Sequence, residues 1–234
     1  MGRFQQIRLE IRAGRCRGQA FRKLIFDELR LDSREAGFEE FVAVRGETGY
    51  DELDILGNRL LGVGKMPVPT TELEAGMVEF YKTPARVVFE LVERVRFGPE
   101  DVFVDLGAGL GQVVMLVHLL TGVRALGVEI EPAYCHYARR CAKELGLTGV
   151  RFGPGDARVA DLSAGTVFFL FTPFKGEVFS QVMERVRAVA SSRKIRVIGY
   201  GPCTEEIARS GWLRREGDGP GGEYTLQIFS SYHE

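Results

Sequence analysis

The residues best suited to binding a ligand lie in the segment 103–111, Phe-Val-Asp-Leu-Gly-Ala-Gly-Leu-Gly. A short apolar run leads into Asp105 and then into three glycines at alternate positions. Glycine allows positive φ and lets a ligand approach the backbone closely. A second carboxylate, Glu129, ends the next predicted strand, where an acidic residue commonly accepts hydrogen bonds from ribose hydroxyls. The pattern therefore predicts a nucleoside-binding site at the carboxyl end of the first strand.

Glycine spacing and charge separate two classes of cofactor. A dinucleotide site has the pattern G-x-G-x-x-G, but here the third glycine, Gly111, comes one position early and Gln112 stands in its place. Asp105 would repel a pyrophosphate, whereas it would attract a ligand that carries an ammonium and a sulfonium. The sequence therefore favours S-adenosylmethionine over NAD. A tight structural turn without a ligand is the alternative.

A third acidic residue follows the predicted strand 150–152, in the segment Gly-Pro-Gly-Asp-Ala that ends with Asp156 and Ala157. The Asp156 carboxylate can accept from the exocyclic amino group of adenine, and the Ala157 amide can donate to the adenine ring. Gly, Pro and Asp are also typical of an ordinary turn. The ligand-binding interpretation is favoured because Asp156 falls on the same predicted sheet edge as Glu129.

The elements around these residues alternate from Asp101 onward, with short apolar runs followed by segments of helical spacing. Repeated β-α units of this length predict an α/β fold, doubly wound, with a mostly parallel sheet and helices on both faces. The segments 212–216 and 223–230 flank a glycine-rich stretch. They predict a C-terminal antiparallel hairpin.

The chain before this pattern has a different character. Apolar residues at helical spacing predict helices near 21–29 and 38–42, and the Gly- and Pro-rich segment 62–69 is the best linker candidate. We therefore divide the chain into an N-terminal helical extension or lid, 1–75, and a cofactor-binding domain, 76–234. Thr71 and Glu74 form a capping-box signature for a short helix, and Thr83-Pro84 predicts a hydroxyl-capped helix start.

Composition narrows the partners and the compartment. The net charge of −1 in 234 residues does not support binding of nucleic acid by the whole protein. A basic segment, 1–30, could contact phosphates or an acidic partner, although a general preference for arginine over lysine throughout the chain is the favoured explanation. No apolar run is long enough to span a membrane, and four scattered cysteines and three scattered histidines predict no metal site. We expect a cytoplasmic protein with reduced thiols.

Taken together, these motifs resemble the seven-stranded, class I S-adenosylmethionine-dependent methyltransferases over residues 76–234. Within that class, residues 103–114 are most similar to the non-SET histone lysine methyltransferases of the silencing-disruptor type. The resemblance implies a Rossmann-like sheet that ends in an antiparallel hairpin. It also implies that Tyr81 and Thr83, in Phe-Tyr-Lys-Thr-Pro, lie against the methionine end of the cofactor, although a simple helix cap is an equal alternative. The predicted cofactor-binding residues are Asp105, Gly107, Ala108, Gly109, Gly111, Glu129, Ile130, Asp156, Ala157, Tyr81 and Thr83.

The acceptor side departs from the resemblance after the fourth predicted strand. Phe171-Thr-Pro-Phe174 stands where amino-group methyltransferases place Asn/Asp-Pro-Pro-aromatic, so a hydroxyl replaces an amide or carboxylate. We expect Thr172, Phe174 and Tyr81 to surround the transferred methyl group as acceptor-side catalytic residues. The acceptor itself is open, with a protein or a small molecule favoured.

Three other activities fit the same motifs less well. A non-catalytic binding module with this fold is supported by Thr172 in place of Asn or Asp. A nicotinamide-dependent oxidoreductase is disfavoured by the glycine spacing. Aminopropyl transfer on the same fold is mildly disfavoured by Asp105.

Overall fold

Seven strands form one mixed sheet in the computed structural model, which describes residues 2–28, 52–217, 222 and 224–232. The spatial order is β3-β2-β1-β4-β5-β7-β6, and all neighbours among the first five strands are parallel. The last two pairs, β5–β7 and β7–β6, are antiparallel, which confirms the predicted C-terminal hairpin. The strands are β1 (Val102–Leu106), β2 (Arg124–Glu129), β3 (Val150–Pro154), β4 (Val167–Leu170), β5 (Arg196–Gly199), β6 (Leu213–Arg215) and β7 (Gln227–Ser231).

Helices cover both faces of this sheet, as the alternation of strands and helices predicts. Successive residues of a strand point to opposite faces, so Phe103 of β1 packs into one hydrophobic core and Val104 into the other. The helices are α1 (Arg3–Arg12), α2 (Gln19–Glu28), α3 (Glu52–Leu61), α4 (Ala85–Val95), α5 (Gln112–Thr121), α6 (Pro132–Glu144), α7 (Gly176–Ala190) and α8 (Cys203–Ala208). The doubly wound α/β fold is thereby confirmed.

The three helices before the sheet share its larger core. Ile11 of α1, Phe21 of α2 and Leu60 of α3 are fully buried in the same cluster as Leu91 of α4 and Met115 of α5. The N-terminal helices therefore pack against a face of the sheet through α4 and α5. Whether residues 1–75 also act as a lid stays a prediction, and the predicted helix near 38–42 lies outside the described residues.

Two local predictions about helix starts are wrong. Residues 71–74 form no helix, because the Thr71 amide donates to the distant carboxylate of Glu131 instead of starting a turn (2.8 Å). At α4 the residue preceding the helix, Pro84, makes no side-chain cap. The first amide, that of Ala85, donates to the buried Asp54 carboxylate of α3 (3.1 Å). In both cases a tertiary partner replaces the local cap.

The part of the chain that the structure describes contains neither a candidate membrane span nor a candidate metal site. None of its helices has the length and apolar character needed to cross a bilayer. Nor do its His, Cys, Asp and Glu side chains form a group that could hold a metal ion. The four cysteines all lie in described segments, and each is buried and free.

Candidate functional site

A cavity of about 480 Å³ lies at the carboxyl edge of the parallel strands, where open α/β sheets bind their ligands. The loops that follow β1, β2, β3 and β4 line one side of it. The other side is lined by the segment 66–81, which we call the strap. The strap crosses the sheet edge before the chain enters α4, so the strap and the loops at the strand ends build the site together.

The turn after β1 has the backbone that its glycines predict. Gly107, Gly109 and Gly111 have φ of 89°, 52° and 78°, in the left-handed region that favours glycine. The amides of Gly107 and Ala108 both donate to the Val128 carbonyl of β2, at 2.9 and 3.0 Å. This pairing holds the turn against the neighbouring strand, so Gly107 lies on the cavity wall.

Each of the three glycines lies against a different side chain of the protein, which leaves no space for a Cβ atom. A Cβ on Gly107 would overlap Pro173, which follows β4, and a Cβ on Gly109 would overlap the ring of Phe80 on the strap. Gly111 is the N-cap residue of α5 and lies against the Phe152 ring of β3. Only Gly107 of the three lines the cavity. The turn is therefore open to a ligand on one side and covered by the protein on the other.

Two buried carboxylates lie behind and beside this turn. Asp105 is 3% exposed and does not itself line the cavity, and its carboxylate receives no hydrogen bond from the described residues. Burial, and then repulsion from Glu129, raises the pKa of Asp105 well above its usual value. Glu129 lines the cavity and accepts from the amides of Gly109 (2.6 Å) and Glu131 (2.9 Å). Burial outweighs these bonds and raises the pKa of Glu129 as well.

The predicted adenine-side residues, Asp156 and Ala157, line the cavity, and so does Ile130, another predicted cofactor-binding residue. The Asp156 carboxylate, however, already binds Arg158, whose backbone amide donates to Oδ1 (2.8 Å) and whose Nε donates to Oδ2 (2.7 Å). The hydrogen bond from the Arg158 side chain is the main reason that the pKa of Asp156 is lowered.

The predicted acceptor-side residues divide into two groups. Tyr81, which is 67% exposed, and the buried Phe174 both line the cavity. Thr172 does not: it has a φ of 43°, and its hydroxyl accepts from the Cys203 amide (3.2 Å) and donates to the Tyr200 carbonyl (3.4 Å). Thr83 is buried outside the cavity lining. The structure thus brings together two of the three residues predicted for catalysis.

Glu131 is a site residue that the sequence analysis missed. Its carboxylate accepts from the amide and hydroxyl of Thr70, from the Thr71 amide and from the Ala133 amide, at 2.8–2.9 Å. Burial alone would raise the pKa of Glu131, but these donors outweigh it and lower the pKa to about 2. Pro132 at the first helical position marks the start of α6 in the sequence, and Glu131 before it is the N-cap residue. Nothing in the local sequence indicates that Glu131 holds the strap.

Among the described residues that line the cavity, every charged side chain is acidic. They are Glu79 on the strap, Glu129 and Glu131 after β2, and Asp156 after β3. Most of the remaining wall is formed by aromatic and aliphatic side chains. One of them is Phe80, whose ring centroid lies 5.5 Å from that of Tyr134. Such a cavity favours a ligand that is cationic and partly apolar.

Comparison with known sequences finds a family model that matches part of the chain. The family model described as histone methylation protein DOT1 matches residues 78–162, which run from the strap through β1, β2 and β3. Two curated proteins, from two strains of Cryptococcus neoformans var. neoformans serotype D, are 39% identical over 56 residues. Both are described as histone-lysine N-methyltransferases specific for lysine 79 of histone H3. The match spans 24% of this chain and only 9% of each relative.

Comparison with solved structures supports the fold. The PH0226 protein from Pyrococcus horikoshii OT3 has a TM-score of 0.50 and 17% identity, covering 62% of this chain and 89% of that one. An RNA methyltransferase from Salinibacter ruber, solved with S-adenosyl-L-homocysteine, has a TM-score of 0.49 and 27% identity, covering 64% and 92%. The resemblance predicted from the sequence is confirmed over residues 78–162, which match the DOT1 family model and lie within a seven-stranded α/β fold.

Proposed function

We propose that this chain is an S-adenosylmethionine-dependent methyltransferase that transfers a methyl group to an amino nitrogen of a protein. The observation that carries the proposal is the acidic cavity at the strand ends, with the buried Asp105 behind its glycine turn. Four acidic side chains would repel the pyrophosphate of NAD, and they attract a ligand with an ammonium and a sulfonium. The cavity volume of about 480 Å³ suits a ligand of nucleoside size.

The residues present fit this cofactor. When bound, it supplies a methyl group on a sulfonium with a good leaving group already attached. The carboxylate of Glu129 has about four acceptor sites, and the backbone N–H groups of Gly109, Glu131 and Ile130 leave one for a ribose hydroxyl. The acidic lining would hold the positive end, in front of the buried carboxyl group of Asp105, and Asp156 and Ala157 would hold the adenine. The protein's contribution is then positioning and electrostatics rather than a nucleophile of its own.

The walls near β4 favour an amine on a flexible side chain over a nucleobase amino group. Phe171, Pro173 and Phe174 line the cavity there and offer apolar surface. The Thr172 hydroxyl is bonded to backbone groups of Tyr200 and Cys203, so it is turned away from an acceptor. No amide or carboxylate therefore follows β4 to orient a base. An ammonium, by contrast, is attracted by the carboxylates of the cavity, and the histone methyltransferase relatives support a protein acceptor.

Calorimetric titration and methyl-label transfer test the proposal together. We expect wild-type protein to bind S-adenosylmethionine and S-adenosylhomocysteine but not NAD. Asp105→Ala is expected to abolish binding, while Asp161→Ala, at a carboxylate outside the cavity lining, leaves it unchanged. Labelled methyl should enter histones or another protein fraction rather than RNA or small molecules. Binding of NAD alone would refute the proposal, and cofactor binding without transfer to any fraction would favour a non-catalytic module.

A further inference from the structure

One guanidinium joins the two sides of the cavity. Arg158, in the loop after β3, donates through Nε to Asp156 Oδ2 (2.7 Å) and pairs with it through a terminal nitrogen (2.5 Å). The same terminal nitrogen donates to Oε2 of Glu74 (2.9 Å), which belongs to the strap. An arginine suits this arrangement because its planar fork presents several donors in fixed directions.

Glu74 lies between two other points at which the strap is attached to the strand-end loops. On one side of it, Thr70 and Thr71 are held by Glu131. On the other, the Gly76 carbonyl accepts from the Lys175 amide (2.8 Å) and the Val78 amide donates to the Pro173 carbonyl (3.1 Å). Those contacts lead to the loops after β2 and β4. The bridge through Arg158 connects the strap to the loop after β3, which carries the adenine-side residues.

Asp156 keeps room for a ligand despite its bonds to Arg158. Its Oδ1 accepts the backbone amide of Arg158 alone among the described residues, and a carboxylate oxygen has two acceptor sites. The guanidinium, bound to Oδ2, fixes the direction in which the free site of Oδ1 points. An adenine amino group that uses this site thus depends on a carboxylate whose orientation is set by Arg158.

We propose that Arg158 is a positioning residue that couples adenine recognition at Asp156 to the placement of the strap through Glu74. This inference rests on the proposed function, because it assumes that the cavity binds an adenosyl cofactor. Loss of Arg158 frees the Asp156 carboxylate to rotate and removes the attachment of the strap at Glu74. Both changes weaken ligand binding, although neither Glu74 nor Arg158 lines the cavity.

The bridge contributes little to folding, which separates positioning from a structural role. The Glu74 side chain is 62% exposed, and exposed ion pairs stabilise proteins only weakly. We therefore expect Glu74→Gln to leave the urea midpoint of the ligand-free protein close to the wild-type value. A merely structural role would lower the midpoint and the affinity together.

A double-mutant cycle with S-adenosylhomocysteine as the probe tests the coupling. Titration calorimetry should give a Kd about two- to fivefold higher for Glu74→Gln, the range of an exposed ion pair. For Arg158→Gln we expect about tenfold or more, because a charge-assisted pair is lost as well. In the Arg158→Gln background, Glu74→Gln should have no further effect. Glu72→Gln, an exposed carboxylate on the same strap, is the matched control and should bind like wild type.

The outcomes separate this inference from the proposed function. If wild-type protein fails to bind S-adenosylhomocysteine, the proposed function fails. If the wild type binds but Glu74→Gln has no effect, or has the same effect with and without Arg158, the coupling through Arg158 is refuted.

Discussion

Replacing Asp105 with asparagine should stabilise the ligand-free protein while it removes ligand binding. The carboxylate is 3% exposed, lies near Glu129 and receives no donor from the described residues, so its charge is unfavourable in the folded state. Removing an uncompensated buried charge should stabilise the protein by about 1 kcal/mol after the cost of burying the new amide is subtracted. For a chain of this length, that corresponds to a melting temperature about 2–4 °C higher.

The pH dependence of this effect has a definite sign. The folded pKa of Asp105 is raised, so the folded state holds the proton at pH values where the unfolded state has lost it. The contribution of Asp105 to stability is therefore fully present below the unfolded pKa of about 4 and is lost as pH rises through the folded pKa. The advantage of Asp105→Asn over wild type should grow over this window and then level off.

Asp101 gives a matched control at the other end of β1. Its carboxylate accepts from the Gly98 amide (2.8 Å), the Thr166 hydroxyl (2.7 Å) and Arg196 (2.7 Å). Burial would raise the pKa of Asp101, but these donors outweigh it and the pKa is lowered. Asp101→Asn should therefore destabilise the protein by about 1–3 kcal/mol and leave ligand binding intact.

Scanning fluorimetry at pH 7, with and without S-adenosylhomocysteine, distinguishes the two variants. Asp105→Asn should melt above wild type and show no ligand-induced shift. Asp101→Asn should melt below wild type and keep the shift. Urea denaturation at pH 5 and pH 8 then measures how the stability difference between Asp105→Asn and wild type changes. If Asp105→Asn melts below wild type, the Asp105 charge is compensated in the folded state and the reasoning is wrong.

Three further substitutions test separate parts of the structure. Gly109→Ala should lower the free energy of unfolding in urea more than Gly122→Ala. Both glycines have positive φ, and the left-handed strain costs each variant about 1–2 kcal/mol, but only Gly109→Ala also places a methyl group against the Phe80 ring. Burial lowers the pKa of His118, so the stability it contributes should be lost as pH falls below about 6.5, and a His118→Gln variant should show a smaller loss between pH 7.5 and pH 5. Glu131→Gln should weaken S-adenosylhomocysteine binding about tenfold and speed hydrogen exchange of the strap amides, and unchanged exchange would show that other contacts hold the strap.

The order of strands and helices could be predicted from the sequence because it depends on patterns among neighbouring residues. Buried apolar runs and helical spacing set the order of strands and helices after Asp101, and the glycines at 107, 109 and 111 adopt the positive φ that their spacing predicts. The carboxylates at the ends of β1, β2 and β3 then meet at one sheet edge, because parallel strands share their direction. Asp105, Glu129 and Asp156 could therefore be assigned to one site from sequence.

The parts that sequence could not give depend on contacts between distant residues. Glu131 pairs with Thr70 across 61 positions and Arg158 with Glu74 across 84, so neither link leaves a local signal. The capping-box pattern at Thr71 was misleading for the same reason, since a distant carboxylate took the amide. Thr172 was expected to face the acceptor, but its backbone is left-handed, a state that sequence does not indicate for threonine.

The carboxylates at this sheet edge fall into two chemical kinds, and the difference bears on function. Glu131 is surrounded by donors and has a pKa of about 2, so it is ionised and satisfied without a ligand, and it serves to hold the strap. Asp105 and Glu129 have raised pKa values because burial outweighs the donors that the chain provides. Two buried carboxylates without a compensating positive charge destabilise the folded state, unless a bound ligand supplies that charge. A cationic ligand between the strap and the glycine turn supplies that charge, which is why the burial of these two acids argues for binding rather than for structure alone.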